Sequence, residues 1–128
     1  MKPSTRCSLV GIAALAALSL VHFARRFEPD PGTVAYLLGV LPNVTAAIAI
    51  PFIALSIWLD QRPAATYLAA RQVFMWLVLA TAAALIGWEM MQRTSRTLIY
   101  DPHDIGGTFV GLVVAVFLFH LTMKTRAR

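Results

Sequence analysis

The sequence predicts an all-α membrane protein: four transmembrane helices in a bundle. Three observations carry that prediction. Of 128 residues, 59% are hydrophobic and only 13% charged, against about 25% charged in a typical soluble domain, and mean hydropathy is +0.70. Four apolar stretches each approach the roughly 20 residues a helix needs to cross about 30 Å of hydrocarbon. The basic residues gather at the ends of those stretches, where topology determinants belong. The net charge of +5 is therefore no sign of a nucleic-acid partner. The length suits one domain, residues 1–128, so any chemistry belongs in the bilayer or at its edge.

The first helix is predicted over residues 7–24, closed by Arg25 and Arg26. Lys2 and Arg6 precede its Ala/Leu-rich core, as in a leader peptide. Val21-His22-Phe23-Ala24 offers no clean small-x-small cleavage site, so the helix is read as retained.

The second apolar run, 34–59, is longer than a span requires and contains Gly39, Pro42 and Pro51. Residues 42–59 suffice alone, and Pro42 suits a first helical turn, where its missing N–H costs nothing. Residues 34–41 are left open between more helix and a short interfacial or re-entrant segment. Pro51, mid-span, predicts a kink. Asp60-Gln61-Arg62-Pro63 reads as a polar turn, with the third helix over 63–92 and the fourth over 102–123. No repeat or linker interrupts this plan.

Four spans put both termini on one side. That side carries Lys2, Arg6, Arg62, Arg71, Lys124, Arg126 and Arg128; the other carries Arg25, Arg26, Arg93 and Arg96. The positive-inside rule then places both termini in the cytoplasm. Glu28, Asp30, Glu89, Asp101 and Asp104 fall on the far side, and only Asp60 on the near one.

Charge beside hydrocarbon is expensive, so the acidic cluster between Trp88 and Gly111 asks for a reason. Glu89, Gln92 and Arg93 share one helix face at i, i+3 and i+4; Glu89 either pairs with Arg93 or belongs to a site. Asp101-Pro102-His103-Asp104 reads as a helix start, with Asp101 as the N-cap and Asp104 at N3, both against the positive end of the dipole. Arg96 can grip a phosphate or sugar carboxylate, or neutralise Glu89 or Asp101. Asn43 follows Pro42 at the same predicted depth, and a buried amide there wants partners. Gly107 and Gly111 make a small-residue face for close helix packing.

Other chemistries find little support. His22 and His103 share the outer level, but two histidines in a bundle do not make a haem site. A metal on His103, Asp101 and Asp104 is less economical than capping. No cofactor motif, phosphate-cradling loop or Ser–His–acid arrangement is present, and Cys7 stands alone. A small multidrug carrier needs a carboxylate deep in its first helix, and residues 7–24 have none.

The order Glu89-x-x-Gln92, Arg96-Thr97, Asp101-x-x-Asp104 and Gly111, with Leu41-Pro42-Asn43 opening the second span, resembles the VanZ-like family of small bacterial membrane proteins. The resemblance spans about residues 34–123. Thr108 stands where that family's pattern has Asn. The resemblance implies a bacterial cytoplasmic-membrane protein, and the family's name comes from low-level resistance to teicoplanin, which acts outside the cell. The leading expectation is an outward-facing site of Asn43, Glu89, Gln92, Arg96 and Asp104 that binds a lipid-linked or anionic envelope component. Two alternatives stand beside it. One is an accessory subunit packing on a membrane-protein partner through its glycine face. The other is an intramembrane hydrolase or transferase with Glu89 or Asp104 as base, for which no nucleophile is evident.

Overall fold

A computed structural model describes residues 1–27 and 32–124. Glu28, Asp30, Arg126 and Arg128, which entered the charge balance above, lie outside the described residues. The chain forms four antiparallel helices: α1 (Pro3–Ala24), α2 (Thr33–Gln61), α3 (Tyr67–Thr94) and α4 (Pro102–Lys124). All four are long and apolar enough to cross a membrane. At 1.5 Å per residue the shortest spans about 33 Å, and α2 about 43 Å.

The boundaries differ from the sequence expectation in three places. Residues 34–41 extend α2 without a break, so Pro42 and Pro51 both lie inside the helix. Proline interrupts the backbone ladder, but a membrane helix tolerates this where neighbouring groups cover the gap. Pro42 offers no N–H to the Leu38 carbonyl; α4 packs directly over that turn, at Val40 and Val44, and Thr45 Oγ1 donates to the carbonyls of Leu41 and Pro42, both at 3.0 Å, just beyond it. The third helix starts at Tyr67, not Pro63, because Thr66 is its N-cap and accepts from the Ala69 N–H at 3.2 Å. The first helix begins at Pro3, with proline in the first turn.

α2 is the organising helix, touching each of the other three, whereas α1 does not contact α3 among the described residues. Arg6 near the start of α1 reaches the Thr122 carbonyl near the end of α4 at 3.5 Å, so both ends of the sequence share one end of the bundle. That half is packed by aromatics. Phe74 stacks on Phe119 at 4.4 Å between centroids and meets Phe52 edge-on at 5.2 Å.

The other half is packed by small residues. A Cβ added at Gly107 would stand 2.6 Å from Val40 Cγ1 and one at Gly111 2.7 Å from Ala47 Cβ. Large apolar side chains such as Leu20, Trp76, Leu79, Val113 and Phe117 point outward. Apolar residues thus cover the outside as fully as the inside, the pattern of helices solvated by lipid.

Candidate functional site

The close packing of α4 on α2 determines what meets at the end of the bundle away from the termini. Gly107 lies on Val40 and Val44, and Gly111 on Val44 and Ala47. Asn43 sits on that same face of α2, one turn from Val40 and from Ala47. Asp104 precedes Gly107 by one turn on α4. The Asn43 amide consequently comes within reach of the Asp104 carboxylate, and also of Glu89 on α3.

Glu89 is the centre of this arrangement. It is only 3% exposed, and its Oε2 has no hydrogen-bond partner among the described residues. The donors that face the residue are the Asp101 backbone N–H and the Asn43 amide; the charges that face it are Asp104 and Asp101. Arg93, one turn along α3, does not neutralise it, and lies instead over the Tyr100 ring at 6.0 Å. A buried carboxylate oxygen left without a donor costs several kcal/mol relative to water, so Glu89 is poised for a partner.

Around Glu89 the local chemistry is ordered. Asp101 Oδ1 accepts from the His103 backbone N–H at 2.9 Å and meets His103 Nδ1 at 2.8 Å. These two contacts, the backbone one first, hold the Asp101 carboxyl below the usual carboxylate range. Thr108, fully buried, donates its hydroxyl to the Asp104 carbonyl at 3.0 Å. Its proton is committed to the helix backbone, away from either carboxylate.

The remaining residues singled out from sequence lie apart from Glu89. Gln92, with its amide turned to satisfy both neighbours, donates to the Ile99 carbonyl at 2.7 Å and accepts from the Trp88 indole at 2.5 Å. It therefore clamps the α3–α4 connection. Arg96 is exposed and makes no ion pair among the described residues. The structure thus gathers Asn43, Glu89, Asp101 and Asp104, and does not bring Gln92 or Arg96 to them.

Two contributors had no signal in the sequence. Arg25, which caps the C-terminal end of α1, is the arginine whose charge reaches Asp104. Tyr36, on the part of α2 extending past Pro42, meets the His103 ring edge-on at 5.3 Å. Trp88 is the donor to Gln92. Comparison with known proteins adds no relative: no protein-family model, curated protein or solved structure matches the chain.

Proposed function

We propose that the chain is a VanZ-like envelope protein of the bacterial cytoplasmic membrane, with both termini cytoplasmic. In this reading Asn43, Glu89 and Asp104 hold the polar head of a lipid-linked envelope component at the outer face. The observation that carries it is Glu89 Oε2, buried and without a donor, beside two further carboxylates at one end of a membrane-length bundle.

Such a group selects for what it lacks. Three acids around one amide repel a bare anion and favour a head group rich in hydroxyl or amino donors, so the ligand is a donor-bearing one. If it also carries phosphate, Arg25, whose charge reaches Asp104, is the cation to hand, and exposed Arg96 on the α3–α4 connection is a second. Binding is favoured over transfer chemistry because Thr108, the buried hydroxyl next to Asp104, faces a carbonyl.

The test is teicoplanin tolerance in cells carrying Glu89→Ala or Asp104→Ala, with membrane abundance measured in parallel. Tolerance lost at normal abundance supports the reading. Unchanged tolerance at normal abundance defeats it. A stoichiometric protein co-purifying in mild detergent, released by substitutions on the Gly106 side of α4, would favour the accessory-subunit role instead.

A further inference from the structure

At the opposite end of the bundle, the start of α1 and the turn between α2 and α3 enclose a second cavity. Its volume is about 170 Å³, lined by Lys2, Ser4, Asp60 and Arg62 among others. A single water needs only about a tenth of that space by the same measure. Four features of its wall share one chemistry.

Lys2 and Arg62 supply two cations, and Arg62 is held in place by packing 5.1 Å above the Trp58 ring. The first helical hydrogen bond of α1 is donated by Arg6 to the Lys2 carbonyl at 3.1 Å, which leaves the N–H groups of Ser4 and Thr5 unbonded at the positive end of a 22-residue helix. Lys2, the N-cap, makes no side-chain cap. Ser4 is 5% exposed, and its hydroxyl has no hydrogen-bond partner among the described residues. A hydroxyl on a residue this deeply buried, with no partner among the described residues and lining a cavity with two cations and a helix N-terminus, marks a place for an acceptor.

We propose that this cavity binds a phosphodiester group, as presented by a phospholipid head group at the membrane surface. Lys2 and Arg62 contact its oxygens, and Ser4 and the first N–H groups of α1 donate to them. Asp60 lowers the side-chain charge of the cavity from two to one, which matches the single charge of a phosphodiester better than a multiply charged phosphate. Basic pockets between transmembrane helices are established sites for such head groups. This site is separate from the Glu89 cluster and does not depend on the reading given for it.

The full chain, purified in detergent, is tested by native mass spectrometry with added phosphatidylglycerol, and separately with inorganic phosphate. The expected result is one retained phosphatidylglycerol per chain. Its affinity should fall at least roughly tenfold in Lys2→Ala/Arg62→Ala, the loss of charge-assisted hydrogen bonds. Ser4→Ala should fall less, and Lys2→Arg should restore binding. Arg71→Ala/Lys124→Ala, which removes the same charge from residues outside the lining of this cavity, should leave it unchanged. Retention of inorganic phosphate with the same dependence on Lys2 and Arg62, without lipid, keeps the phosphate site but assigns it to a soluble source. Equal losses in both double variants, or no loss in either, overturn the proposal.

Discussion

Gly111 of α4 lies directly against the Val44 carbonyl of α2, so that a Cβ built on the glycine would stand 2.5 Å from that oxygen and 2.7 Å from Ala47 Cβ. Backbone carbonyls cannot move aside as a flexible side chain can. Gly111→Ala should therefore push α4 off α2 and destabilise the bundle by about 1–3 kcal/mol. Gly106, one residue from the seam, has nothing within 4 Å of its added Cβ. Gly106→Ala should be neutral or slightly stabilising. Thermal unfolding in detergent separates the pair; equal melting temperatures would show that the α2–α4 seam is not under this constraint.

The same seam delivers Asn43 and Asp104 to Glu89, whose burial is costly. Its carboxylate is buried at 3% exposure with one oxygen unpartnered. Glu89→Gln keeps the shape, removes a charge facing Asp101 and Asp104, and adds two donors where acceptors crowd. The melting temperature should rise, corresponding to on the order of 1 kcal/mol or more. Function should be lost in the same variant, the usual exchange at a strained site. A fall in melting temperature would mean that both Glu89 oxygens serve the fold.

Asp101 gives the start of α4 a pH dependence. Its carboxyl is held below the usual range by the His103 backbone N–H and then by the His103 ring. A depressed folded-state pKa contributes stability that is fully present above the ordinary carboxylate value near 4. That contribution disappears as pH falls through the lower, folded-state value. Hydrogen exchange at the α4 N-terminus should accelerate over that acid range. Asp101→Asn should keep the cap and flatten the dependence, whereas Asp101→Ala should lose the cap at every pH, about 1 kcal/mol. An unchanged pH profile in Asp101→Asn would place the origin of that pH dependence elsewhere.

What the sequence conveyed and withheld follows from which forces are local. Four spans were legible because hydropathy and charge placement act on each segment separately. The start of α3 was not. Pro63 is the stronger first-turn signal, yet the turn continues to Thr66, whose hydroxyl reaches the Ala69 N–H. Nor was the length of α2, since Pro42 looks like a beginning until the glycine face of α4 packs over it. Asn43, Glu89 and Asp104 could be matched in depth from sequence, because depth is counted along a helix. Arg25 and Tyr36 could not, because azimuth at a helix end is set by which neighbour it meets. The separation of Gln92 from the carboxylates has the same origin: one helical turn beyond Glu89 it finds Trp88 and Ile99 instead.

That clamp yields a prediction of its own. Gln92 ties the Trp88 indole to the Ile99 carbonyl with one amide, and so fixes the connection that carries Arg96 and presents the Asp101 N–H to Glu89. Gln92→Leu preserves bulk but leaves a donor and an acceptor unmet, each worth about 1 kcal/mol. Amide exchange across residues 95–101 should speed up by roughly tenfold while the aromatic half of the bundle keeps its protection. Trp88 emission should shift as its indole N–H loses its acceptor. Gln92→Glu distinguishes the two halves of the clamp, since a carboxylate still accepts from Trp88 but repels the Ile99 carbonyl. If Gln92→Glu behaves as wild type in exchange, the indole contact alone holds the loop; if both variants do, the connection is held by Asp101 and His103 at its far end.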